Sequence, residues 1–509
     1  MLFHLMLPLL VRQCVVELDL HVARIALSEG PKIVIRSERQ KDEPVAKALH
    51  RLAKSLAQKR ANPTRPAKRP PADRSAAERP AEQSAAPPLA PFRLVDASGA
   101  GLDAESLHHG DAWRLAKTLN IGGEEWECVL DRPRVVSGIV RPLPLAGAAL
   151  VAQFVTRPPG LKCDVAWSVG GGFPLRGLRF TPSFADVGSP LTCTVAINAA
   201  ALDATALDDL GTTVLDLGLV QSPTPGGAVP RAWARARAFQ RAAGDGLRIV
   251  SYNLLAECHS RRAKGAVPAH AETAHRLAVA GAEVEAFDAD LYCFQEVDLK
   301  LYVDFWVPLM SSLGYGCLFS KKTGPAAEGV ATFYKKDRLA LKDHDTLPLQ
   351  LPNDAAYDKI FSVALISRFS DLRGGGEIVS ANAHLYFAND ASAIRTQQIQ
   401  MILDALAPHR ESGAAAIVAG DLNATPETAP VSLALQSLRS AYGLEAGPTH
   451  VVQGFVEMLD YIILDKQRFE TTATAPLPPA DGPMPTLDFP SDHFSLAADL
   501  RWANGKGIP

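Results

Sequence analysis

The second half of the chain contains six short apolar runs, and each carries acids, amides or histidines at or near one end. Each run is rich in β-branched or aromatic residues and bounded by Gly, Pro, Asp or Asn, which predicts buried strands. The runs are LRIVSYNLL, ADLYCFQEV, EIVSANAHL, AAIVAGDLN, MLDYIIL and HFSLAADL. Helical spacing of Ile399, Ile402, Leu403 and Leu406, and of parts of residues 272–287, predicts helices on the outer faces. We therefore expect an α/β fold in which two sheets form a sandwich with helices outside.

The polar residues stand where the predicted strands end. The run before Gly420 uses the rigid sheet to aim the carboxylate of Asp421, while glycine lets the backbone turn sharply beside it. Repeated from strand to strand, this arrangement gathers the polar groups at one sheet edge. The groups are Asn253, Glu296, His384, Asp421, Asn423, Asp460, Asp492 and His493.

Several of these residues suit a divalent metal ion. Mg²⁺ prefers oxygen ligands and is typically held by one or two carboxylates together with substrate phosphate oxygens. Glu296 is the best candidate ligand. Asp421 and Asn423 converge in a turn, where they could hold or orient the attacking water, and Asn253 could supply a further oxygen contact.

The histidines suit the remaining needs of phosphodiester cleavage. The reaction requires a base for the water and a group that stabilises negative charge on the phosphorus centre. His384 and His493 are candidates for these tasks, and Asp460 could fix the tautomer of His493. Taken singly, each polar residue is better explained as a turn, a helix cap or a structural histidine. Their joint presence at successive strand ends favours a metal-dependent phosphoesterase.

The ordered set SYNLL, QEVD, NAHL, GDLNATP, LDYI and PSDH resembles the endonuclease/exonuclease/phosphatase superfamily, in the forms typical of its poly(A)-nuclease branch. The resemblance covers roughly Leu247 to Trp502. It implies that Glu296, with Asp421 and Asp492, binds the metal and that Asn253 lies beside the scissile phosphate. It also implies the remaining roles: Asp421 and Asn423 orient nucleophile and phosphate, His384 stabilises the phosphate, Asp460 supports the catalytic histidine, and Asp492 and His493 form the terminal pair.

Other segments resemble the 2′,5′-oligoadenylate phosphodiesterase subfamily, among them CVVELDLHVARIALSEG, FTPSFADVGSPL and EGVATFYKK. This resemblance implies Mg²⁺-dependent hydrolysis, with Mn²⁺ as an alternative metal, of 2′,5′ and 3′,5′ linkages from the 3′ end of single-stranded oligoadenylate or poly(A). Two alternatives stay open. One is a phosphatase of the same superfamily acting on a small-molecule or inositol phosphate, and the other is a non-catalytic RNA-binding relative.

Substrate contacts are expected from aromatic and basic residues near the motifs. Phe387 and Phe489 are candidates for stacking on adenine, since base stacking contributes about 1–3 kcal/mol per base in single-strand binders. Arg395 and Lys335 are candidates for a local positive groove. Core packing and solvated surface are the simpler explanations for such residues.

Composition restricts the partners and the compartment. A net charge of −3 over 509 residues argues against broad binding of duplex DNA, although a single-strand exonuclease needs only a local basic groove. The seven cysteines show no metal-ligand spacing, which predicts free thiols and an intracellular location. The apolar start lacks the features of a secretory signal or membrane span. The subfamily resemblance implies the mitochondrial matrix, with the cytoplasm as the alternative.

The pattern along the chain predicts five regions. Residues 1–60 are expected to form a hairpin and a helix that pack with the following domain, with Val45, Leu49, Leu52 and Leu56 on one helical face. Residues 61–91, dominated by Pro, Ala, Arg and Glu, are expected to be a disordered insertion. A β-rich accessory domain (92–230), a linker (231–246) and the catalytic domain (247–503) follow.

Overall fold

The computed structural model describes residues 12–18, 22–29, 33–40, 45–61, 92–104, 106, 116–121, 124–131, 134–157, 160–198, 212–241, 244, 246–260, 272–350, 360–388 and 390–503. The insertion expected at 61–91 lies outside these residues, apart from the helix end at residue 61. The chain divides into two compact units, which are Met1–Ser137, Phe154–Asp164 and Val195–Thr213 for unit 1, and Gly138–Gln153, Val165–Thr194 and Val214–Pro509 for unit 2. None of the described helices is long and apolar enough to cross a bilayer.

The described residues of unit 1 form a seven-stranded sheet and one helix. Its strands are β1 (Arg12–Leu18), β2 (Val22–Glu29), β3 (Ile33–Gln40), β4 (Phe92–Val95), β5 (Gly101–Leu102), β6 (Thr118–Ile121) and β7 (Glu124–Asp131), in the order β3-β2-β1-β7-β6-β4-β5. β1 and β2 form the predicted antiparallel hairpin, and β1 runs parallel to β7. Helix α1 (Val45–Ala61) buries Val45, Leu49 and Leu52, which confirms the predicted face.

Seven further strands confirm the β-rich character of the region before the sandwich. They are β8 (Arg134–Arg141), β9 (Leu150–Arg157), β10 (Cys163–Val169), β11 (Leu175–Arg176), β12 (Arg179–Phe180), β13 (Pro190–Ile197) and β14 (Thr212–Leu219). Within unit 2, Trp167 is buried, stacks on Phe180 with ring centroids 5.6 Å apart, and donates from Nε1 to the Gly177 carbonyl. Arg179 forms an ion pair with Glu285, so this part of unit 2 packs against the sandwich. The predicted domain boundaries stay a prediction.

Two six-stranded sheets form the sandwich in unit 2. The first has the order β17-β18-β16-β15-β28-β27, and the second has the order β19-β20-β21-β22-β26-β23, with a two-stranded ribbon, β24-β25, beside them. The strands are β15 (Leu247–Asn253), β16 (Leu291–Asp298), β17 (Tyr315–Lys321), β18 (Glu328–Lys335), β19 (Leu339–Pro348), β20 (Val363–Asp371), β21 (Gly376–His384), β22 (Ala415–Asp421), β23 (Leu438–Ser440), β24 (His450–Val452), β25 (Phe455–Glu457), β26 (Asp460–Asp465), β27 (Phe469–Thr474) and β28 (Leu496–Trp502).

Helices cover the outer faces of both sheets. They are α2 (Arg231–Ala238), α3 (Glu257–Ser260), α4 (Thr273–Phe287), α5 (Leu299–Leu301), which continues through a π-helix (Tyr302–Trp306) into α6 (Val307–Ser312), α7 (Ser392–Glu411) and α8 (Ala429–Ser437). One apolar core lies between the sheets, a second beneath α4 and α6, and a third beneath α7 and α8. The predicted two-sheet α/β sandwich is confirmed, and each predicted strand is present.

Candidate active site

Strand register brings the predicted polar residues to one edge of the sandwich. Parallel strands β15 and β16 end together, so Asn253 lies opposite Gln295, next to Glu296. In the second sheet His384 lies opposite Asp421, and Asp421 lies opposite Asp460. The carboxyl ends of parallel strands meet at the same edge of a sheet. The predicted convergence of strand ends is therefore present.

Glu296 is held in an irregular stretch of β16. The register between β16 and β18 shifts between Phe294 and Val297, and Glu296 has a left-handed φ of 53°. A bulge re-aims a side chain, and a left-handed non-glycine residue costs on the order of 1–3 kcal/mol. The main-chain N–H of Ala256 donates to Glu296 Oε2 over 3.0 Å, and Asn253 Nδ2 donates to Oε1 over 3.3 Å. The backbone is thus strained to present this carboxylate.

Asp421 is the most constrained carboxylate of the site. Asn253 Nδ2 donates to its Oδ2 over 3.0 Å, and the main-chain N–H of Asn423 donates to its Oδ1 over 2.8 Å. Gly420 precedes it with φ of 148°, and a Cβ there would lie 1.9 Å from the Ala383 carbonyl oxygen, so only glycine fits. Burial raises the pKa of Asp421 to about 6, against the lowering effect of the His493 charge. Asn423 Nδ2 donates to the Leu385 carbonyl.

A buried chain of hydrogen bonds orients His493. Asp460 Oδ2 lies 2.8 Å from His493 Nδ1 and accepts a hydrogen bond from Thr449 Oγ1 over 2.6 Å. Because a carboxylate only accepts, the proton sits on Nδ1 and Nε2 faces Asp421 Oδ2 at 3.8 Å. Burial alone would lower the pKa of His493, but the charge and hydrogen bond of Asp460, with the charges of Asp421 and Asp492, raise it well above its ordinary value. His493 is therefore an imidazolium at neutral pH.

Asp492 lies against a histidine that the sequence interpretation missed. His450 Nε2 is 3.6 Å from Asp492 Oδ2, and the rings of His450 and His493 have centroids 4.6 Å apart. Burial would raise the pKa of Asp492, but the hydrogen bond from His450 and the charges of His493, His450 and Arg276 lower it to about 2. His450 stands in PTHVVQGF, outside every quoted motif, and only its proximity to LDYI along the chain could have suggested it.

His384 completes the edge. Its Nε2 lies 3.6 Å from Asp421 Oδ2 and 4.0 Å from Glu296 Oε1. Burial and the nearby Lys322 charge lower its pKa well below the ordinary value, so this imidazole is neutral. His384 and His493 therefore carry different charges beside the same carboxylate.

Arg276, also absent from the sequence interpretation, holds two site loops together. Its guanidinium donates to the carbonyls of Leu254 and Leu255, after β15, and to the carbonyl of Pro490, before the terminal pair. The residue is buried on α4. One side chain thus ties the loop that carries the Ala256 donor to the loop that carries His493.

The four predicted substrate-binding residues have different environments in the structure. Phe387 is 73% exposed and follows His384 in the chain, so its stacking role stays a prediction. Phe489 is only 6% exposed and packs edge-on against Phe494, so its predicted stacking role is wrong because the ring belongs to the core. Arg395 is also buried and donates to the carbonyls of Tyr386 and Ala388, which makes it a support for this loop and not part of an open groove.

Lys335 lies at the end of β18 that is remote from the site. The start of β18, at Glu328, pairs with Asp298 near the site, and Lys335 ends the strand seven residues later. At about 3.3 Å per residue this places it roughly 23 Å away. It pairs there with Asp288. Lys335 therefore lies away from the catalytic edge, and its contact with substrate stays a prediction.

The donor set of the site fits a hard divalent cation. Glu296 and Asp421 share the Asn253 amide, and Asp492 lies beside His493. Asp421, Asp460 and His493 each place a ligand atom within 4.8 Å of the others. Buried carboxylates so close together repel one another, and a cation offsets that repulsion. The predicted metal ligands Glu296, Asp421 and Asp492 stay a prediction.

Comparisons with known proteins find similarity in the half of the chain that contains this site. The sequence model of the Endonuclease/Exonuclease/phosphatase family matches residues 250–493. The 2',5'-phosphodiesterase 12 of Mus musculus is 26% identical over 318 residues, which cover 50% of this chain and 52% of that protein. The CCR4-Not complex 3'-5'-exoribonuclease subunit Ccr4 of Yarrowia lipolytica is 24% identical over 344 residues, which cover 52% of this chain and 49% of that protein.

A solved structure of the human Nocturnin catalytic domain with bound sulfate anion has a TM-score of 0.43 and 25% identity, and the match covers 51% of this chain and 94% of that chain. The chain spans about half the length of the curated relatives it matches. The family match encloses every predicted catalytic and metal-binding residue, from Asn253 to His493. Residues 250–493 of this chain therefore form a domain of the endonuclease/exonuclease/phosphatase family.

Proposed function

We propose that this domain is a Mg²⁺-dependent phosphodiesterase that hydrolyses 2′,5′- and 3′,5′-linked oligoadenylate and poly(A) from the 3′ end. The observation that carries the proposal is the meeting of Glu296 and Asp421 on the Asn253 amide, beside the paired Asp460 and His493. The substrate class is supported by the names of two relatives, a 2',5'-phosphodiesterase and a 3'-5'-exoribonuclease.

Glu296 is the residue best suited to hold Mg²⁺, with Asp421 and Asp492 beside it. When bound, the cation neutralises phosphate charge and lowers the pKa of a bound water. Asn253 donates one amide to both Glu296 and Asp421, which fixes the two carboxylates relative to each other. This amide therefore sets the shape of the metal site.

The side chains divide the proton chemistry between them. Asp421, with a pKa raised to about 6 by burial, is suited to accept a proton from the attacking water near neutral pH. His493, held as an imidazolium by Asp460, donates from Nε2 to a phosphate oxygen and stabilises the negative charge that develops there. His384, kept neutral by burial, donates one hydrogen bond from Nε2 without adding charge.

The surroundings of the site favour a nucleotide over a small phosphate ester. The exposed ring of Phe387 follows the His384 strand end and is available to stack on a base, a contact that contributes about 1–3 kcal/mol. A phosphatase for inositol phosphates requires a basic clamp for several phosphates. The candidates for that clamp, Lys335 and Arg395, lie at the far end of β18 and against loop carbonyls.

The test compares substrates on the full chain. With Mg²⁺, the protein is expected to release AMP from both 2′,5′- and 3′,5′-linked oligoadenylate and to stop when a chelator is added. Glu296→Ala should abolish release without lowering the melting temperature by more than a few degrees. Glu377→Ala, at the opposite end of β21, removes an equally charged group far from the site and should retain full activity.

Three results separate the alternatives. Release of inorganic phosphate from inositol phosphates, with oligoadenylate left intact, would establish the phosphatase. Binding of oligoadenylate without cleavage at any metal concentration would establish the non-catalytic relative. Equal turnover by Glu296→Ala and the unmodified protein would remove Glu296 from the metal site and contradict the geometry proposed here.

A further inference from the structure

A second group of metal-ligand side chains lies next to the site, at the start of α3 and β18. Cys258 and His259 belong to α3, and Glu328 begins β18. A sulfur, an imidazole nitrogen and a carboxylate oxygen from these three residues lie within 4.8 Å of one another. His259 Nε2 is 3.0 Å from Glu328 Oε1. We refer to these three residues as the α3 cluster.

The hydrogen bonding of the Glu328 carboxylate is incomplete. Its side chain is 2% exposed, and its Oε1 contacts both His259 and Lys322 Nζ, the latter at 2.8 Å. Among the described residues, its Oε2 is buried without a hydrogen-bond partner. An unsatisfied buried carboxylate oxygen costs on the order of 1–3 kcal/mol or more. The free oxygen therefore indicates a missing ligand.

The chemistry of the α3 cluster differs from that of the catalytic edge. Glu296, Asp421 and Asp492 offer oxygen, which suits Mg²⁺. Thiolate, imidazole and carboxylate together suit Zn²⁺ or another borderline transition metal, and three protein ligands plus one water complete a tetrahedral site. We propose that Cys258, His259 and Glu328 form a zinc-binding site distinct from the Mg²⁺ site.

The observed spacing is compatible with metal binding. Tetrahedral zinc with bonds of about 2.0–2.3 Å places its ligand atoms about 3.3–3.6 Å apart. His259 Nε2 and Glu328 Oε1 are 3.0 Å apart, and all three ligand atoms lie within 4.8 Å of one another, so small side-chain movements bring them to this spacing. The Lys322 ammonium is the present ion-pair partner of Glu328. When zinc binds and neutralises Glu328, this ammonium moves toward solvent. Zinc thus replaces one positive partner of Glu328 with a stronger one.

Zinc binding would brace the catalytic edge. The loop before α3 contributes the Ala256 N–H that holds Glu296 Oε2, and the next residue, Glu257, donates its N–H to Asp298 Oδ2 over 2.8 Å. A metal bound to Cys258 and His259 ties α3 to β18 and restricts this loop. The α3 cluster is a positioning site for Glu296, and its occupancy does not depend on the proposed hydrolysis.

Cobalt spectroscopy on the full chain tests the site directly. Co²⁺ is added in the presence of excess Mg²⁺, which occupies the oxygen site. Ligation by Cys258 is expected to produce a sulfur-to-cobalt charge-transfer band in the near ultraviolet, which one equivalent of Zn²⁺ removes. Cys258→Ser should abolish the band, and Glu328→Gln should weaken Zn²⁺ binding by at least about tenfold. Cys317→Ser, which alters a half-buried thiol away from the cluster, is the matched control and should keep the band.

A measurement on the unmodified protein removes any dependence on mutant folding. Zn²⁺ should protect Cys258 from alkylation by iodoacetamide, read by mass spectrometry, and should leave the alkylation rate of the other exposed or half-buried thiols unchanged. Absence of the charge-transfer band, its persistence in Cys258→Ser, or equal alkylation of Cys258 with and without Zn²⁺ would each overturn the proposal. Loss of RNA cleavage with the band intact would count against the proposed function and leave the zinc site standing.

Discussion

Replacement of Asp460 by asparagine tests the central electrostatic pair of the site. Asp460 Oδ2 lies 2.8 Å from His493 Nδ1, and the carboxyl group is buried at the start of β26. Two unit charges at that separation interact by about 6 kcal/mol at an effective dielectric constant of about 20. If half of this is lost, the pKa of His493 falls by about two units, since one unit corresponds to about 1.4 kcal/mol. Asp460→Asn should therefore lower the protonated fraction of His493 at neutral and alkaline pH.

The expected consequence is a change in the pH profile as well as in rate. The proposed mechanism needs His493 protonated and Asp421 ionised. Activity therefore falls when the pH rises above the pKa of His493 or drops below the pKa of Asp421. Asp460→Asn lowers the pKa of His493, because it removes the charge and the hydrogen bond that raise this pKa. The alkaline limb of the profile should therefore move to lower pH, with kcat at pH 7 reduced by about 10²- to 10⁴-fold.

The assay measures kcat on 3′,5′-linked oligoadenylate between pH 5 and 9 at saturating Mg²⁺. The control is Asp465→Asn, which neutralises a buried carboxylate at the other end of β26 that is paired with Arg410. It should lower the melting temperature and leave both limbs in place. An unchanged alkaline limb in Asp460→Asn would refute the role of the pair, whatever happens to the rate.

Four other substitutions test single structural claims. Arg276→Met should lower kcat at least tenfold and the free energy of unfolding by on the order of 3 kcal/mol, measured by urea titration, because it removes the guanidinium donor from three loop carbonyls, two of them in buried contacts. Gly420→Ala should unfold at markedly lower urea concentration, because its Cβ would meet the Ala383 carbonyl; an unchanged midpoint would contradict the φ of 148°. Phe387→Ala should raise KM with little change in melting temperature. Phe489→Ala removes a core ring, so it should lower the free energy of unfolding by about 3–5 kcal/mol and the melting temperature with it.

The strands and the site edge could be predicted because one physical rule determines both. A buried strand must be apolar, so the first polar residue after it marks the point where the chain leaves the core, as at Asp421 after β22. The parallel pairing of β15 with β16 and of β21 with β22 then brings such points together. Residues at strand ends are consequently the part of a site that sequence reveals best.

Residues away from strand ends could not be placed in this way. Lys335 stands in the same apolar run as Glu328, but strand rise carries it roughly 23 Å from the edge. Phe489 precedes the terminal pair, yet its ring turns into the core against Phe494. Cys258 and Glu328 are far apart in the chain, so no cysteine spacing could reveal the α3 cluster. These positions depend on tertiary packing, which the local pattern does not encode.

The charges of the site also make the metal-free protein sensitive to pH. The folded pKa of Asp421, about 6, lies above its ordinary value of 3.8, so its contribution to stability is full below pH 3.8 and is lost as pH rises through about 6. His493 has a raised pKa too, and its contribution disappears at still higher pH. The pKa of Asp492 is lowered to about 2, so its contribution to stability is lost only as pH falls below 3.8. Asp492 therefore does not affect stability between pH 5 and pH 7.

The Asp421 contribution should therefore be smaller at pH 7 than at pH 5, while that of His384, whose pKa is lowered, grows over the same interval. Mg²⁺ should raise the melting temperature more at pH 7, where Asp421 is ionised. Asp421→Asn removes the buried charge, so it should raise the metal-free melting temperature at pH 7 and reduce both the pH dependence and the Mg²⁺ effect. A difference in melting temperature between Asp421→Asn and the unmodified protein that stays constant from pH 5 to pH 7 would contradict this account. The carboxylate that hydrolysis requires is, on this reasoning, one that the fold retains at a cost in stability until a cation binds beside it.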